Sequence, residues 1–283
     1  MSTTIDVTEA PAADAPAGRK APRARRRLGD RLLFGYVWLI LIWLFLPIAV
    51  MIAFGFNDTQ SKSNVTWQGF TLQWWGRLDE YPQLLEAVTN SLKIALLSTV
   101  ITTVLGTLMG LALGRYRFRG QGATNLVMFA AIASPELVMG ASLLSLFISV
   151  GVQTGFATVV VAHVLFSLSF VAITVRARVI GLDRSIEEAA RDLGASTWTT
   201  FWRITFPMIL PGVVSGALLA FALSIDDFVI TQFTSGAVQT FPLWIWGATR
   251  IGVPPQVNVI GTLIFAVGVA IAVVNTVTAR RRT

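Results

Sequence analysis

Gly181–Pro207 reads GLDRSIEEAARDLGASTWTTFWRITFP, a polar interval between apolar runs of membrane-span length. Ser185 stands three residues before Glu188, the spacing of a capping box that satisfies orphan amides at a helix start. Ile186, Ala189, Ala190 and Leu193 recur at i, i+3, i+4 and i+7, so a short helix here carries one apolar stripe. The two alanines make that stripe shallow, and a neighbouring surface can approach closely. Gly194 follows at once, where a left-handed residue ends a helix. Ser196 is placed to cap a second short helix through Phe201 and Trp202, and Pro207 opens the next apolar run. The interval predicts a docking element between two membrane spans.

Glu188-Ala189-Ala190, three residues, Gly194, nine residues, then Ile204-Thr205-Phe206-Pro207 resembles the "EAA" loop of bacterial ABC-importer permeases. That resemblance implies a cytoplasmic coupling element that fits a groove in an ATP-hydrolysing subunit. Glu188, Ala189, Ala190, Gly194, Ile204 and Pro207 would be the ATPase-coupling residues. The family usually has Leu before the proline; Phe206 is an apolar change. Without the resemblance, the same amphipathic helix also suits a membrane surface.

Outward from this loop the chain is membrane protein throughout. Of 283 residues, 54% are hydrophobic and 13% charged, with mean hydropathy +0.68; a soluble domain carries about 25% charged residues. Six apolar spans approach the ~20 residues a bilayer requires: Phe34–Phe56, Leu92–Leu113, Ala123–Val150, Ala157–Val175, Met208–Ile230 and Val257–Val277. The fold class expected is all-α, polytopic, with six transmembrane helices in a domain over residues 34–283. Residues 1–33 are expected to form a disordered basic cytoplasmic tail.

The net charge of +7 would suit nucleic acid, but its distribution points to the membrane. With the N-terminus inside, the inner segments hold seven basic residues (Arg19 to Arg31), three (Arg115, Arg117, Arg119), five (Arg176, Arg178, Arg184, Arg191, Arg203) and three (Arg280 to Arg282). Only Lys62, Arg77, Lys93 and Arg250 fall outside. The positive-inside rule therefore selects N-in and C-in, and the polar loop faces the cytoplasm; the resemblance implies a bacterial inner membrane. The basic cluster before the first span also suits anionic lipid. No nucleic-acid partner is expected.

Catalytic chemistry is sparse. The chain has no Cys and one His, which leaves no thiolate site and no multi-His metal site within one chain. None of its three lysines (Lys20, Lys62, Lys93) follows a Gly, so it lacks the phosphate loop of an ATPase. No nucleophile elbow and no HExxH occur. The expectation is a transport subunit with no catalytic residue, cofactor or metal of its own, energised by a partner.

Ionisable residues within spans are the functional candidates. Glu136 lies in Ala-Ser-Pro-Glu-Leu, where Ser134 is read as N-cap, Pro135 as first helical residue and Glu136 as second. That predicts a helix restarting inside the membrane, which lines a cavity; a proline kink with Glu136 bonded to a neighbouring helix fits the residues as well. Asp226 and Asp227 close the fifth span, and since successive helical residues diverge by about 100°, one faces a pathway while the other caps, pairs or meets external water. Arg250 is one available partner, and His163 reads as a histidine bonded between helices or as a proton carrier. Gly106, Gly110 and Gly114, and Gly212, Gly216 and Ala220, form two small-residue faces for helix packing. Trp67, Trp74, Trp75 and Tyr81 suit headgroup level in the external interval Asn57–Thr89, and Trp244 and Trp246 suit an interfacial segment or a gate.

Ser-Ile-Asp-Asp, 224–227, resembles the Ser-Leu-Asp-Asp stretch of the second permease subunit of spermidine/putrescine importers, and Glu136 stands where those permeases commonly have Asp. The resemblance runs from the first span to the last. It implies a methionine-permease-like core in the later five spans. It also implies polyamine cargo, for which the intramembrane acids Glu136, Asp226 and Asp227 are read as the substrate pathway, with Phe228 nearby for a cation–π contact. The implied partners are two ATP-binding subunits, a second permease subunit and an external solute-binding protein. Other readings of the same residues are an importer permease for another small organic solute, or a secondary transporter using the intramembrane acids.

Overall fold

Glycine at every fourth position draws α2 (Pro82–Arg115) against α5 (Phe156–Ile180). In the computed structural model, a Cβ added to Gly106, Gly110 or Gly114 would lie 2.7, 2.7 or 2.8 Å from atoms of Val171, Ala172 and Val179. No side chain fits there, so two helix backbones are in direct contact and gain dispersion energy that lipid cannot supply. The second small-residue face belongs to α8 (Phe206–Asp226). A Cβ on Gly216 or Gly212 would come within 3.1 Å of Val171 or 2.9 Å of Arg178. Val171, Val175, Val179, Ile209, Val213 and Ala220 form the core between α5 and α8. Helix α5 is thus the central post, and both glycine faces are structural as expected.

The structure describes residues 23–61 and 63–280. It divides into two units, Met1–Val50 and Met51–Thr283. The described part of the first is most of helix α1 (Arg23–Phe54), whose large apolar side chains from Leu32 to Leu46 stand exposed, as suits a helix solvated by lipid. Of the stretch expected as a tail, residues 23–33 lie in this helix. The rest of that expectation, residues 1–22, lies outside the described residues.

The second unit continues with α2, then α3 (Gln121–Ala133), α4 (Glu136–Ser149), α5, α6 (Ser185–Asp192), α7 (Thr197–Thr200), α8, α9 (Val229–Thr234), α10 (Phe241–Ala248) and α11 (Pro255–Arg280). The described residues contain no strand, only an isolated bridge between Asn57 and Phe70. Among the described residues five helices are long and apolar enough to cross a membrane, six if the pair α3 and α4 counts as one span. The protein is a polytopic all-α membrane protein.

Two expected spans are not continuous. The third bends by 109° between α3 and α4, because Pro135 lacks an N–H and forces Ser134 out of the helical region. The fifth ends at Asp226, four residues before the expected Ile230, and restarts as α9. Both breaks lie beside acidic residues.

The interval after the first helix is folded around a buried Asn57. Its amide donates to Asn64 and to the Thr66 carbonyl, each at 2.7 Å, and its side-chain oxygen accepts the Gln68 amide at 2.7 Å. The Trp74 and Trp75 indoles donate to the carbonyls of Asn57 and Gly55 at 2.8 and 3.1 Å. These two tryptophans therefore close a loop, whereas Trp67 is half exposed.

Candidate functional site

Where α3 stops, Ser134 and Pro135 are both extended, with ψ of 130° and 132°. Pro135 is the N-cap of α4 and Glu136 its first residue, so the expected cap is displaced by one position: Ser134 makes no capping bond. Glu136 is exposed at a helix N-terminus, where free amides and the dipole favour a carboxylate. Helix α4 is pressed onto α9, since a Cβ on Gly140 would lie 2.7 Å from the Phe233 ring and 3.3 Å from Ile230 Cα. This contact brings the two breaks together.

The two aspartates have opposite surroundings. Asp226, the last residue of α8, is exposed, while Asp227 is buried. One Asp227 oxygen accepts the Thr231 amide at 2.8 Å and the Thr231 hydroxyl at 2.7 Å. The other accepts the Ile230 amide at 3.4 Å. Asp227 thus caps α9, and that capping ends α8 one residue earlier. His163 Nε2 lies 3.2 Å from the Asp227 carboxylate and 2.9 Å from the Thr231 hydroxyl. Its Nδ1 lies 2.7 Å from the Ser224 hydroxyl, which contacts Ser98 at 3.1 Å. A buried polar chain therefore links α2, α5, α8 and α9, and His163 is bonded between helices as its sequence position suggested.

Among the described residues no ion pair joins Arg250 to either aspartate. Its guanidinium lies 5.6 Å from the centre of the Trp246 ring. Phe228 meets that same indole, with ring centroids 5.3 Å apart. The break between α8 and α9 is thus roofed by α10.

The loop between α5 and α8 is a second candidate. Helix α6 begins at Ser185, but the Ser185–Glu188 capping box does not form. The Asp183 carboxylate accepts the Ser185 amide at 2.9 Å instead, and bonding to Ser185 holds the Asp183 carboxyl below its ordinary value. Gly194 takes φ +85°, and the Ala195 amide reaches back to the Ala190 carbonyl at 3.0 Å, the expected left-handed stop. Ser196 caps α7 by accepting the Thr199 amide at 3.2 Å. A five-residue π-helical turn, Phe201–Thr205, then leads into α8.

The stripe of α6 is unpartnered in this chain: Ile186 is 43% and Leu193 90% exposed, Ala189 is exposed and Ala190 half-buried. Ile204 is half-buried, and Glu188 and Pro207 are exposed. The residue that sequence reasoning missed is Glu187. It is the one buried residue of α6, held by the Thr205 hydroxyl at 2.6 Å and by the Arg115 guanidinium, with Arg191 at 3.9 Å. Burial alone would raise its carboxyl, but Thr205 and the two guanidinium groups outweigh burial and hold it below its ordinary value. Only the Arg191 partner, four residues on, was visible in the sequence.

Residues 103–280 match the family described as binding-protein-dependent transport system inner membrane component. The chain belongs to that family. This permease is 37% identical over 257 residues to the spermidine/putrescine transport system permease protein PotC of Escherichia coli (strain K12), covering 90% of this chain and 97% of the relative. It is 38% identical over 247 residues to the putrescine transport system permease protein PotI of the same strain, covering 84% and 85%. A chain of the bacterial alginate ABC transporter, solved with an alginate pentasaccharide-bound periplasmic protein, shares the fold with TM-score 0.67 at 15% identity, covering 92% of this chain and 96% of that one. A chain of the MetNI methionine ABC transporter does so with TM-score 0.58 at 18% identity, covering 72% and 98%. The permease is an inner-membrane transport subunit of the ABC-importer type, as the coupling-loop motif predicted.

Proposed function

We propose that the permease carries linear polyamines such as putrescine or spermidine from an external binding protein to the cytoplasm. The transporter would comprise two ATP-binding subunits and a second permease, with both termini of this chain and the loop 181–207 inside. The observation that carries the cargo reading is the pair of exposed carboxylates, Glu136 and Asp226, at two apposed helix breaks. The named relatives that move spermidine and putrescine support it. The structural neighbour solved with a periplasmic protein supports the partner set.

Magnitudes agree with a transient cationic guest. A carboxylate at the centre of a span costs roughly 2.5–3.5 kcal/mol. An ammonium group about 4 Å away returns on the order of 4 kcal/mol at an effective dielectric near 20, before its own desolvation. The near-cancellation favours passage over trapping. Phe228 adds a cation–π contact of roughly 0.5–2 kcal/mol. In this reading Glu136, Asp226 and Phe228 meet the cargo, while Asp227 holds the α8–α9 break open from behind.

The loop is the ATPase-coupling element. The stripe Ile186, Ala189, Ala190 and Leu193 enters the ATPase groove, with Glu188 beside it. Gly194 sets the exit of the coupling helix, and Ile204 and Pro207 join the loop to α8.

The test is uptake by the assembled transporter in proteoliposomes. Glu136→Gln and Asp226→Asn, made singly, each reduce polyamine uptake about tenfold or more, since a tenfold change corresponds to about 1.4 kcal/mol. Co-purification of the ATPase stays normal in both. Uptake retained in both variants overturns the pathway assignment. A companion variant, Ala190→Arg, leaves the permease in the membrane and detaches the ATPase; intact co-purification there overturns the docking assignment.

A further inference from the structure

Of the buried polar clusters, one lies where the loop meets the bundle and joins three elements far apart in sequence. Glu187 on α6 holds Arg115, the last residue of α2, and Thr205, the final residue of the π-helical turn that opens α8. Arg115 and Glu187 side chains are only 13% and 12% exposed. Arg184, the N-cap residue of α6, donates to the Arg115 carbonyl at 2.8 Å, so the start of the coupling helix is fixed to the same end of α2. The opposite, apolar face of α6 is exposed. One short helix therefore shows one face outward and has the other bolted to two spans.

We propose that Glu187 is the strut of the coupling helix, the positioning residue through which movement of α6 is passed to α2 and α8. The proposal rests on the reading of loop 181–207 as the ATPase-docking element. A docked helix that is free to swivel on its loops would turn without moving the bundle. Glu187 prevents this by anchoring the helix to the ends of both spans that flank α5. A carboxylate is well matched to such a role, because its two oxygens serve two partners at once, Thr205 through Oε1 and Arg115 through Oε2. A neutral amide can donate to the Thr205 hydroxyl, but without charge it holds the Arg115 guanidinium less strongly.

The assembled transporter, reconstituted with its ATPase and binding protein, tests this through Glu187→Gln, Arg115→Gln and the double variant. Three quantities are read: ATPase co-purification, basal ATP hydrolysis, and cargo molecules taken up per ATP hydrolysed in the presence of the binding protein. In Glu187→Gln, co-purification and basal hydrolysis remain as in the native transporter. Uptake per ATP falls roughly fivefold or more, the lower end of coupling between distant sites. Arg115→Gln does the same, and the double variant is no worse than either single one, as expected when both changes break one link.

Uptake per ATP within about twofold of native in Glu187→Gln, well short of that coupling range, overturns the strut. Loss of ATPase co-purification in that variant also overturns it, because Glu187 then shapes the docking surface and does not transmit through it. Failure of the docking reading itself is seen separately, as normal co-purification in Ala190→Arg.

Discussion

At the end of α8 Asp226 is exposed and Asp227 buried; in α6 Glu188 is exposed and Glu187 buried. Each pair is two adjacent acids: in α6 they are split because neighbouring helical side chains point about 100° apart, and at the end of α8 because Asp227 leaves the helix with ψ 121°. The buried members are satisfied differently. Asp227 is held by uncharged hydroxyl and backbone donors together with one histidine, and it ends a helix. Glu187 is held by two guanidinium groups and a hydroxyl, and it ends nothing; it ties one helix to two others. The difference follows from the surroundings. A guanidinium is costly among spans and tolerated at their ends, so the intramembrane acid is capped by local amides and the loop acid by arginines.

The largest effect expected from this contrast lies at Asp227. Asp227→Ala leaves the Ile230 and Thr231 amides without their acceptor, costing about 2–5 kcal/mol from a lost cap and buried unsatisfied donors. The unfolding midpoint of the purified permease drops by several degrees, whereas Asp226→Ala stays near native. Equal midpoints for the two variants would show that Asp227 carries no more of the fold than its neighbour.

At the loop the asymmetry is smaller. Glu187→Ala costs roughly 1–3 kcal/mol through lost bonds to a charged group, while Glu188→Ala stays within about 0.5 kcal/mol, as exposed sites do. The loop contrast also has a pH signature. A carboxyl held below its ordinary value of 4.5 contributes stability that is present above that value and lost as pH falls through the lower, folded value. The thermal midpoint of the native protein should therefore decline below pH 4.5 more than that of Glu187→Gln. Parallel pH curves for the two proteins would remove Glu187 from the account.

The smallest effect concerns Gly194, which belongs to neither acid pair but sets where α6 ends. At φ +85° a Cβ meets open space, so only backbone strain counts, roughly 1–2 kcal/mol for an L-residue there. A β-branched side chain is worse placed than a methyl group. Gly194→Val thus impairs ATP-coupled uptake more than Gly194→Ala. Wild-type uptake in both would mean that the exit angle of α6 does not matter.

Local signals were legible in the sequence because they are short-range. Hydropathy located the spans, glycine spacing marked the close faces of α2 and α8, and Gly194 and Ser196 announced a left-handed stop and a cap. Pro135 announced a break. That Asp226 and Asp227 would face apart was expected, although not that Asp227 would leave the helix and turn inward. The tertiary structure decided what depends on contacts between distant residues. It paired Asp227 with His163, a residue of another helix, and left Arg250 against Trp246. It set Asp183 in place of Ser185 at the head of α6. It buried Glu187 against Arg115, at the far end of α2, in place of the motif's Glu188. Sequence spacing carries the direction of a side chain along its own helix; the partner waiting in that direction is supplied by how the helices pack.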